Sequence, residues 1–525
     1  MAKDAFRLTY ATMFNPPDEL HDNFEKQAQQ LRSILGTEYA MLIDNKDVLA
    51  EGKFENRSPA NTEEVLGVFQ KGTAKHASDA LAAARRAAPG WGDTPWQERI
   101  ALVRKAAGLI DERIYKIGAA VSLEVGKNRM EALGDVAESA DLMRYACDQI
   151  EANNGFIVEM GRDPLVGYTA TNYSVLKPYG VWVVISPFNF PAALTGGPTG
   201  AALAAGNAVV IKPASDTPWT ARFLAEVFRD AGFPDGVLNY VTGPGGTLGQ
   251  ALIDSPEVDG LTFTGSYDVG MHIYRSFANY RYPRPLILEM GGKNPVIVSS
   301  NADLERASQG IFRSSFGLQG QKCSAASRVF VEEAAYDQLL ELLKEKTEAI
   351  KIGDPLDKDV FLGPVINKKA YQDYKDFTED LSQSGDFLTG GKVCSKGELT
   401  KGYFVEPSIV INVPQAHKLW KQEMFLPIVM VQKIKDLDSA MQIANDVDYG
   451  LTAGFYGSED EARWFFKNIK AGVTYANRPQ GATTGAWPGF QPFGGWKGSG
   501  SSGKNAGGLY YVQLYMHEQI QTLIK

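Results

Sequence analysis

The chain has 525 residues, 44% of them hydrophobic, with 53 Lys plus Arg against 62 Asp plus Glu and a formal net charge of −9. One compact core rarely serves such a length, so two or three domains are expected, each able to bury a core of its own. The acidic balance, without a basic stripe, removes the counterion-displacing surface on which nucleic-acid binding depends, and no such partner is expected.

Cys147, Cys323 and Cys394 are odd in number, far apart and free of CxxC spacing, which suggests neither a disulfide framework nor a zinc site. The five histidines show no HExxH spacing, and no metal is expected. No apolar signal segment opens the chain and no run reaches membrane-spanning length, so a soluble, cytoplasmic protein without a membrane span is expected.

Residues 1 to about 36 read as an N-terminal arm, with Leu20, Phe24, Leu31 and Leu35 at helical spacing. Residues 39–72 alternate around turn signals as short strands. Helices are predicted over Ala77–Ala88, Trp96–Val121 and Met130–Ile150, with Cys147 as core filler on the last. Residues 155–178 read as a projecting hairpin. From Gly180, short apolar strands alternate with helices: Val181–Ser186, Ala208–Ile211, Val237–Val241 and Leu261–Thr264. That alternation predicts an α/β fold with a parallel, doubly wound sheet. A second alternating series runs from Leu286 to about Asn477, and Leu509–Lys525 alternates like a strand that pairs with another subunit.

The chemistry concentrates at strand ends. Gly320-Gln321-Lys322-Cys323-Ser324 sets a cysteine among small residues that leave space beside the sulfur, and Glu289-Met290-Gly291-Gly292-Lys293 sets a carboxylate before two glycines. Alone, Cys323 reads as a small buried hydrophobe and Glu289 as a solvated strand end; together they suggest a nucleophile and a base. Asn189, between Phe188 and Phe190, ends a strand where its amide can donate to an oxyanion, or can simply satisfy turn backbone. Lys212 ends the next strand within reach of cofactor hydroxyls. Ser266, after Phe263-Thr264-Gly265, can cap a helix whose free N–H groups favour a pyrophosphate. Gly243–Gly249 is GxGxxxG, one residue too long for the dinucleotide fingerprint. Gly498–Asn505 nearly spells a phosphate-binding loop, but Asn505 stands where Ser or Thr would hold Mg²⁺.

The ordered set PFNFP at 187–191, KPAS at 212–215, FTGS at 263–266, EMGGK at 289–293, GQKCS at 320–324, EMFLP at 423–427 and NDVDYGLTAG at 445–454 resembles the aldehyde dehydrogenase superfamily. The resemblance spans nearly the whole chain, from EVGK at 124–127 to PFGG at 492–495. It implies an arm and helical part of the cofactor domain at 1–154 and a hairpin of an oligomerisation flap at 155–178. A Rossmann-like NAD(P)-binding domain at 179–288, a catalytic domain at 289–496 and a C-terminal flap strand at 497–525 follow. The sequence GQKCSAASR at 320–328, the long arm and NRPQGA at 477–482 are most similar to the branch that oxidises L-glutamate γ-semialdehyde to L-glutamate. The alternative is another semialdehyde or aliphatic aldehyde, with the same chemistry. No proline-oxidising barrel precedes the motifs, which implies the monofunctional form.

Carried over residue by residue, the resemblance implies Cys323 as nucleophile, Glu289 as base and Asn189 with the Cys323 N–H as oxyanion hole. It implies a cofactor site of Ile185, Ser186, Pro187, Lys212, Ser215, Gly245, Gly249, Phe263, Thr264, Gly265, Ser266, Val269, Glu423 and Phe425. Substrate contacts fall on Glu138, Phe190, Ser324, Phe493 and the backbone of Gly481 and Ala482. The cofactor is NAD, with NADP also admissible. Ser215 stands where NAD-preferring members often carry Glu, and Phe188 where many carry Trp. The stretch Thr483–Phe490 looks longer than the family norm. A homo-oligomer of at least two chains is expected.

Overall fold

A computed structural model describes residues 16–164, 166–482 and 486–524. Of the expected elements, residues 1–15 of the arm, Thr483–Gly485 of the long stretch and Lys525 of the tail lie outside the described residues. Two seven-stranded sheets form the body. In the first, the strands Leu286–Glu289, Gly260–Thr264, Val181–Ile185, Ala208–Lys212 and Leu238–Tyr240 lie side by side and parallel. Met41–Ile43 and Lys46–Val48 extend that sheet as an antiparallel edge hairpin. Chain order runs outward from Val181–Ile185 in one direction and then restarts beside it with Gly260–Thr264. That reversal opens a crevice at the carboxyl ends of the two strands, where doubly wound sheets bind ligands.

The second sheet orders Asp386–Thr389, Ser408–Ile411, Ile428–Ile434, Ala326–Glu332, Asn294–Val298, Thr452–Tyr456 and Val473–Ala476, parallel except at the Asp386–Thr389 edge. Leu286–Glu289, expected to open the second series, instead closes the first sheet. Glu289 is therefore delivered from one sheet while Cys323 precedes a strand of the other. A separate three-stranded sheet pairs Ile157–Glu159 with Ala170–Pro178 and that strand with Met516–Ile524, all antiparallel. From His517 onward the tail strand is exposed, with Ile520 and Leu523 among its apolar groups.

The predicted Trp96–Val121 helix is two helices, Trp96–Glu112 and Ile114–Val125, broken at Arg113 (φ −104°, ψ 12°). The next helix, Arg129–Ala152, packs against Ala193–Ala205 so closely that a Cβ on Gly200 would lie 2.4 Å from the Met143 side chain. Cys147 is fully buried on that helix. Among the described residues, no helix is long and apolar enough to cross a membrane.

Candidate active site

The loop that carries Cys323 is strained and pinned. Leu318 and Gln319 hold left-handed backbone (φ 52° and 55°), which bulky residues adopt only when their surroundings compel it. The Leu318 N–H donates to the Glu131 carboxylate at 2.9 Å, Gln319 Nε2 donates to Gly126 O at 2.8 Å, and Gln321 Oε1 accepts the Ile366 N–H at 3.0 Å. Asn294 Nδ2 donates to the carbonyls of Cys323 (2.6 Å) and Ala325 (2.9 Å).

The glycine pair explains how three motifs meet. A Cβ on Gly291 would lie 2.1 Å from Glu423 Oε2, and one on Gly292 would lie 2.5 Å from the Cys323 carbonyl oxygen. The Gly292 N–H donates to Glu423 Oε1 at 2.8 Å. Only a side-chain-free segment lets the strand that bears Glu289 pass between the cysteine loop and Glu423.

The Cys323 side is partly open to solvent, yet burial, aided by the Glu423 and Glu289 carboxylates, pushes its thiol well above the usual range. The Ser324 and Cys323 amides hydrogen-bond to the sulfur and oppose that shift. Glu289 is buried, and desolvation raises its proton affinity well above the ordinary carboxylate value. Its Oε2 has no hydrogen-bond partner. Asn189 Nδ2 donates to Gln321 O at 2.9 Å, which ties the Asn189 turn to the cysteine loop while leaving the amide a second N–H.

Around the crevice, Ser186 accepts from Thr195 Oγ1 at 2.7 Å, and its N–H donates to Lys212 O at 3.1 Å, which fixes Ile185, Ser186 and Pro187 beside the lysine. Lys212 is buried; its ammonium donates to Pro213 O at 3.0 Å, and burial pulls its pKa down to about 8. Gly249 leaves 3.3 Å between a Cβ and the Lys212 stem, while Gly245 faces open space. Ser215 is exposed, and the neighbouring Asp216 carboxylate is held by Asn367 at 3.2 Å. Ser266 stands at the start of the Tyr267–Ala278 helix but makes no capping hydrogen bond, contrary to expectation, so its hydroxyl and the helix's first N–H groups are left for a ligand. Val269 is exposed in that first turn, Phe263 is buried behind it, and the Gly265 N–H donates to Glu289 O at 3.1 Å. Phe425 holds left-handed backbone (φ 57°) and packs edge-on to Phe188 at 5.8 Å. Burial lifts Glu423 to about 7.

On the opposite wall, Phe190 is buried with Lys127 Nζ 3.7 Å from its ring centre. Ser324 is buried, and Phe493 is half-buried, paired with Ala506. The two amides expected to hold a substrate carboxylate are engaged inside the chain: Gly481 N–H donates to Arg478 O at 2.9 Å and Ala482 N–H to Ser314 Oγ at 2.7 Å. A carboxylate ligand must exchange for those partners.

Glu138, expected from the sequence, is joined on the wall by Glu131 and Asp135, which sequence reading missed. Glu131, Asp135 and Glu138 project from one face of the Arg129–Ala152 helix, all buried. Each grips a different loop: Glu131 the cysteine loop at Leu318, Asp135 the Ala193 N–H at 2.8 Å just past Asn189, and Glu138 the Ala486 N–H at 2.6 Å. Lys127 Nζ donates to Asp135 at 3.1 Å within this buried set. The spacing of acids at i, i+4 and i+7 was visible; its burial was not.

The site therefore gathers a cysteine, a buried carboxylate and an amide donor from separate strand ends beside a switch-point crevice. Comparison with known proteins agrees with it. The family model described as "Aldehyde dehydrogenase family" matches residues 48–520. A 1-pyrroline-5-carboxylate dehydrogenase of Geobacillus sp. (strain WCH70) is 38% identical over 502 residues, covering 94% of each chain. A solved 1-pyrroline-5-carboxylate dehydrogenase from Thermus with bound NAD superposes with a TM-score of 0.92 at 32% identity, covering 100% of both chains. Proline utilization A from Bdellovibrio bacteriovorus superposes with a TM-score of 0.90 at 34% identity; 96% of this chain is covered, but it spans only 51%, about half, of that longer protein. The chain belongs to the aldehyde dehydrogenase family.

Proposed function

We propose that the protein oxidises L-glutamate γ-semialdehyde, the open form of pyrroline-5-carboxylate, to L-glutamate with NAD. The observation that carries this reading is the joint placement of Cys323, Glu289 and Glu423 around Gly291-Gly292, in a chain 38% identical to pyrroline-5-carboxylate dehydrogenases over nearly its full length.

The crevice fits a dinucleotide. Lys212 supplies a buried cation, Ser266 an unspent hydroxyl at a helix N-terminus, and Gly245 open backbone. Ile185, Ser186, Pro187, Ser215, Gly249, Phe263, Thr264, Gly265 and Val269 surround them, with Glu423 and Phe425 toward the reacting end. NAD, when bound, accepts the hydride. Cys323 adds as thiolate to the aldehyde carbon, its charge supported by the amides beside the sulfur. Asn189 and the Cys323 N–H then stabilise the alkoxide, one such donor being worth about 10²–10³ in rate. The alkoxide re-forms C=O as the C–H bond breaks and hydride departs with its electron pair, leaving a thioester. Glu289 takes a proton from water as its oxygen attacks that carbonyl; the C–S bond breaks, and sulfur leaves as thiolate. A carboxylate whose proton affinity is raised by desolvation is suited to this step. Phe190 and Phe493 line the aliphatic stem, Ser324 and the Gly481–Ala482 loop hold the α-carboxylate, and Glu138 bounds the site.

The division at 1–154, 155–178, 179–288, 289–496 and 497–525 is proposed on the same basis. The exposed apolar edge of the Met516–Ile524 strand favours a homo-oligomer. All three cysteines are free, which suits a reducing, cytoplasmic setting.

NADH formation with pyrroline-5-carboxylate should exceed that with simple aliphatic aldehydes in kcat/KM; equal values across such a panel would discard the substrate assignment and leave the chemistry. Ser215→Glu should raise the KM for NADP at least about tenfold while sparing NAD, because a carboxylate there repels the 2′-phosphate. Unchanged KM ratios would remove Ser215 from the ribose site.

A further inference from the structure

Behind Glu289, on the side of the tail, lies a cavity of about 30 Å³. Tyr145, Leu194, Pro198, Thr264, Glu289 and Tyr511 line it. Its volume suits one or two water molecules. Glu289 Oε2 is buried with no hydrogen-bond partner.

A hydrogen-bond chain runs toward this cavity. Trp182 Nε1 donates to Thr262 Oγ1 at 2.9 Å, Thr262 Oγ1 donates to the Tyr515 hydroxyl at 3.2 Å, and Tyr515 donates to the Tyr511 hydroxyl at 3.0 Å. An indole N–H can only donate, so Thr262 accepts from it, and the hydroxyl protons of Thr262 and Tyr515 then point onward along the chain. Tyr511 accepts a hydrogen bond from Tyr515 and keeps its own proton for the cavity. Such chains polarise their members, which makes the last donor the strongest. Tyr511 and Tyr515 both feel the Glu289 charge.

We propose that Tyr511 is a positioning residue for Glu289: its hydroxyl, through a cavity water, donates to Oε2 and holds the carboxylate ionised and aimed for the hydrolytic half of the reaction. This rests on the reading of Glu289 as the hydrolytic base. Among the described residues, the titratable groups that face Glu289 are Cys323 from its loop, Tyr145 from the Arg129–Ala152 helix, and Tyr511 and Tyr515 from the tail. The Ala193–Ala205 helix presents only uncharged groups to the cavity. A donor to the anion lowers its proton affinity, so losing Tyr511's hydroxyl raises that of Glu289 and moves the acid limb of turnover to higher pH.

The test compares wild type, Glu289→Gln, Tyr511→Phe and Tyr515→Phe with pyrroline-5-carboxylate and NAD. Tyr511→Phe should keep a first turnover of one NADH per site and slow steady-state turnover at least about tenfold, within the roughly 10²-fold cost of misplacing a catalytic group by 1 Å. Intact-protein mass should show the acyl adduct accumulating, and the acid limb should rise by about one to two pH units. Tyr515→Phe removes the donor behind Tyr511 and should move the limb less, in the same direction; it serves if Tyr511→Phe does not fold. Wild-type turnover with an unmoved limb overturns the proposal, as does an equal fall of first and later turnovers. If Glu289→Gln itself gathers no acyl adduct, the base assignment fails; if it gathers one while Tyr511→Phe does not, only the present proposal fails.

Discussion

Replacing Cys323 with alanine is expected to abolish aldehyde-dependent NADH formation, by at least about 10⁴-fold. Among the described residues, no other group near the site is suited to add to the aldehyde and then leave from a thioester; Cys147 is buried in the core. The loss should be chemical and not structural. What pins the loop is hydrogen bonding between side chains and backbone: Asn294 holds the Cys323 carbonyl, Glu131 the Leu318 amide, and the Gln319 and Gln321 side chains hold the Gly126 carbonyl and the Ile366 amide. None of these involves sulfur. Dinucleotide binding and thermal midpoint in the Cys323→Ala protein should therefore match wild type, and a variant that still reduced NAD with aldehyde would remove Cys323 from the mechanism. In wild type the first turnover carries a second signature. Burial and the two nearby carboxylates hold the thiol above its ordinary value, and only the thiolate attacks. The rate of the first turnover should climb as pH rises from neutrality.

Much of this site was legible because its motifs are local. Lys212, Ser266 and Asn189 follow apolar strands, and the strand–helix alternation puts such positions at one edge of a parallel sheet. What was not legible depends on contacts between distant segments. The Arg129–Ala152 helix is buried on nearly all sides, so its pattern names no face; Glu138 was expected at the site through the resemblance alone, and Glu131 and Asp135 were not singled out. Burial is affordable there only because each meets a backbone N–H from another loop. The helix break at Arg113 is invisible to a periodicity that continues across it, with no glycine or proline to mark it. Leu286–Glu289 pairs backwards in sequence onto the first sheet, which an apolar strand cannot announce. Ser266 had the right residue type for a cap, yet its hydroxyl does not cap. Tyr511 lies in a tail whose alternation suggested only assembly, whereas its ring lines the cavity behind Glu289.

Glu289→Gln should divide the reaction at its middle. Glutamine keeps the shape of the side chain, so the glycine pair and the Gly265 contact to the Glu289 carbonyl persist. The carboxylate's negative charge is one of the causes that raise the Cys323 thiol; its removal lowers the thiol and leaves attack and hydride departure unhindered. Hydrolysis loses its base, a loss of about 10²–10⁴-fold. The expected record is one NADH per site at close to the wild-type rate, then near silence, with the thioester mass retained on the protein. Hydroxylamine, which needs no base to attack a thioester, should release the acyl group and restore a second burst. Steady turnover in Glu289→Gln, without adduct, would mean that another group activates the water, and the unpartnered Oε2 would then need a different explanation.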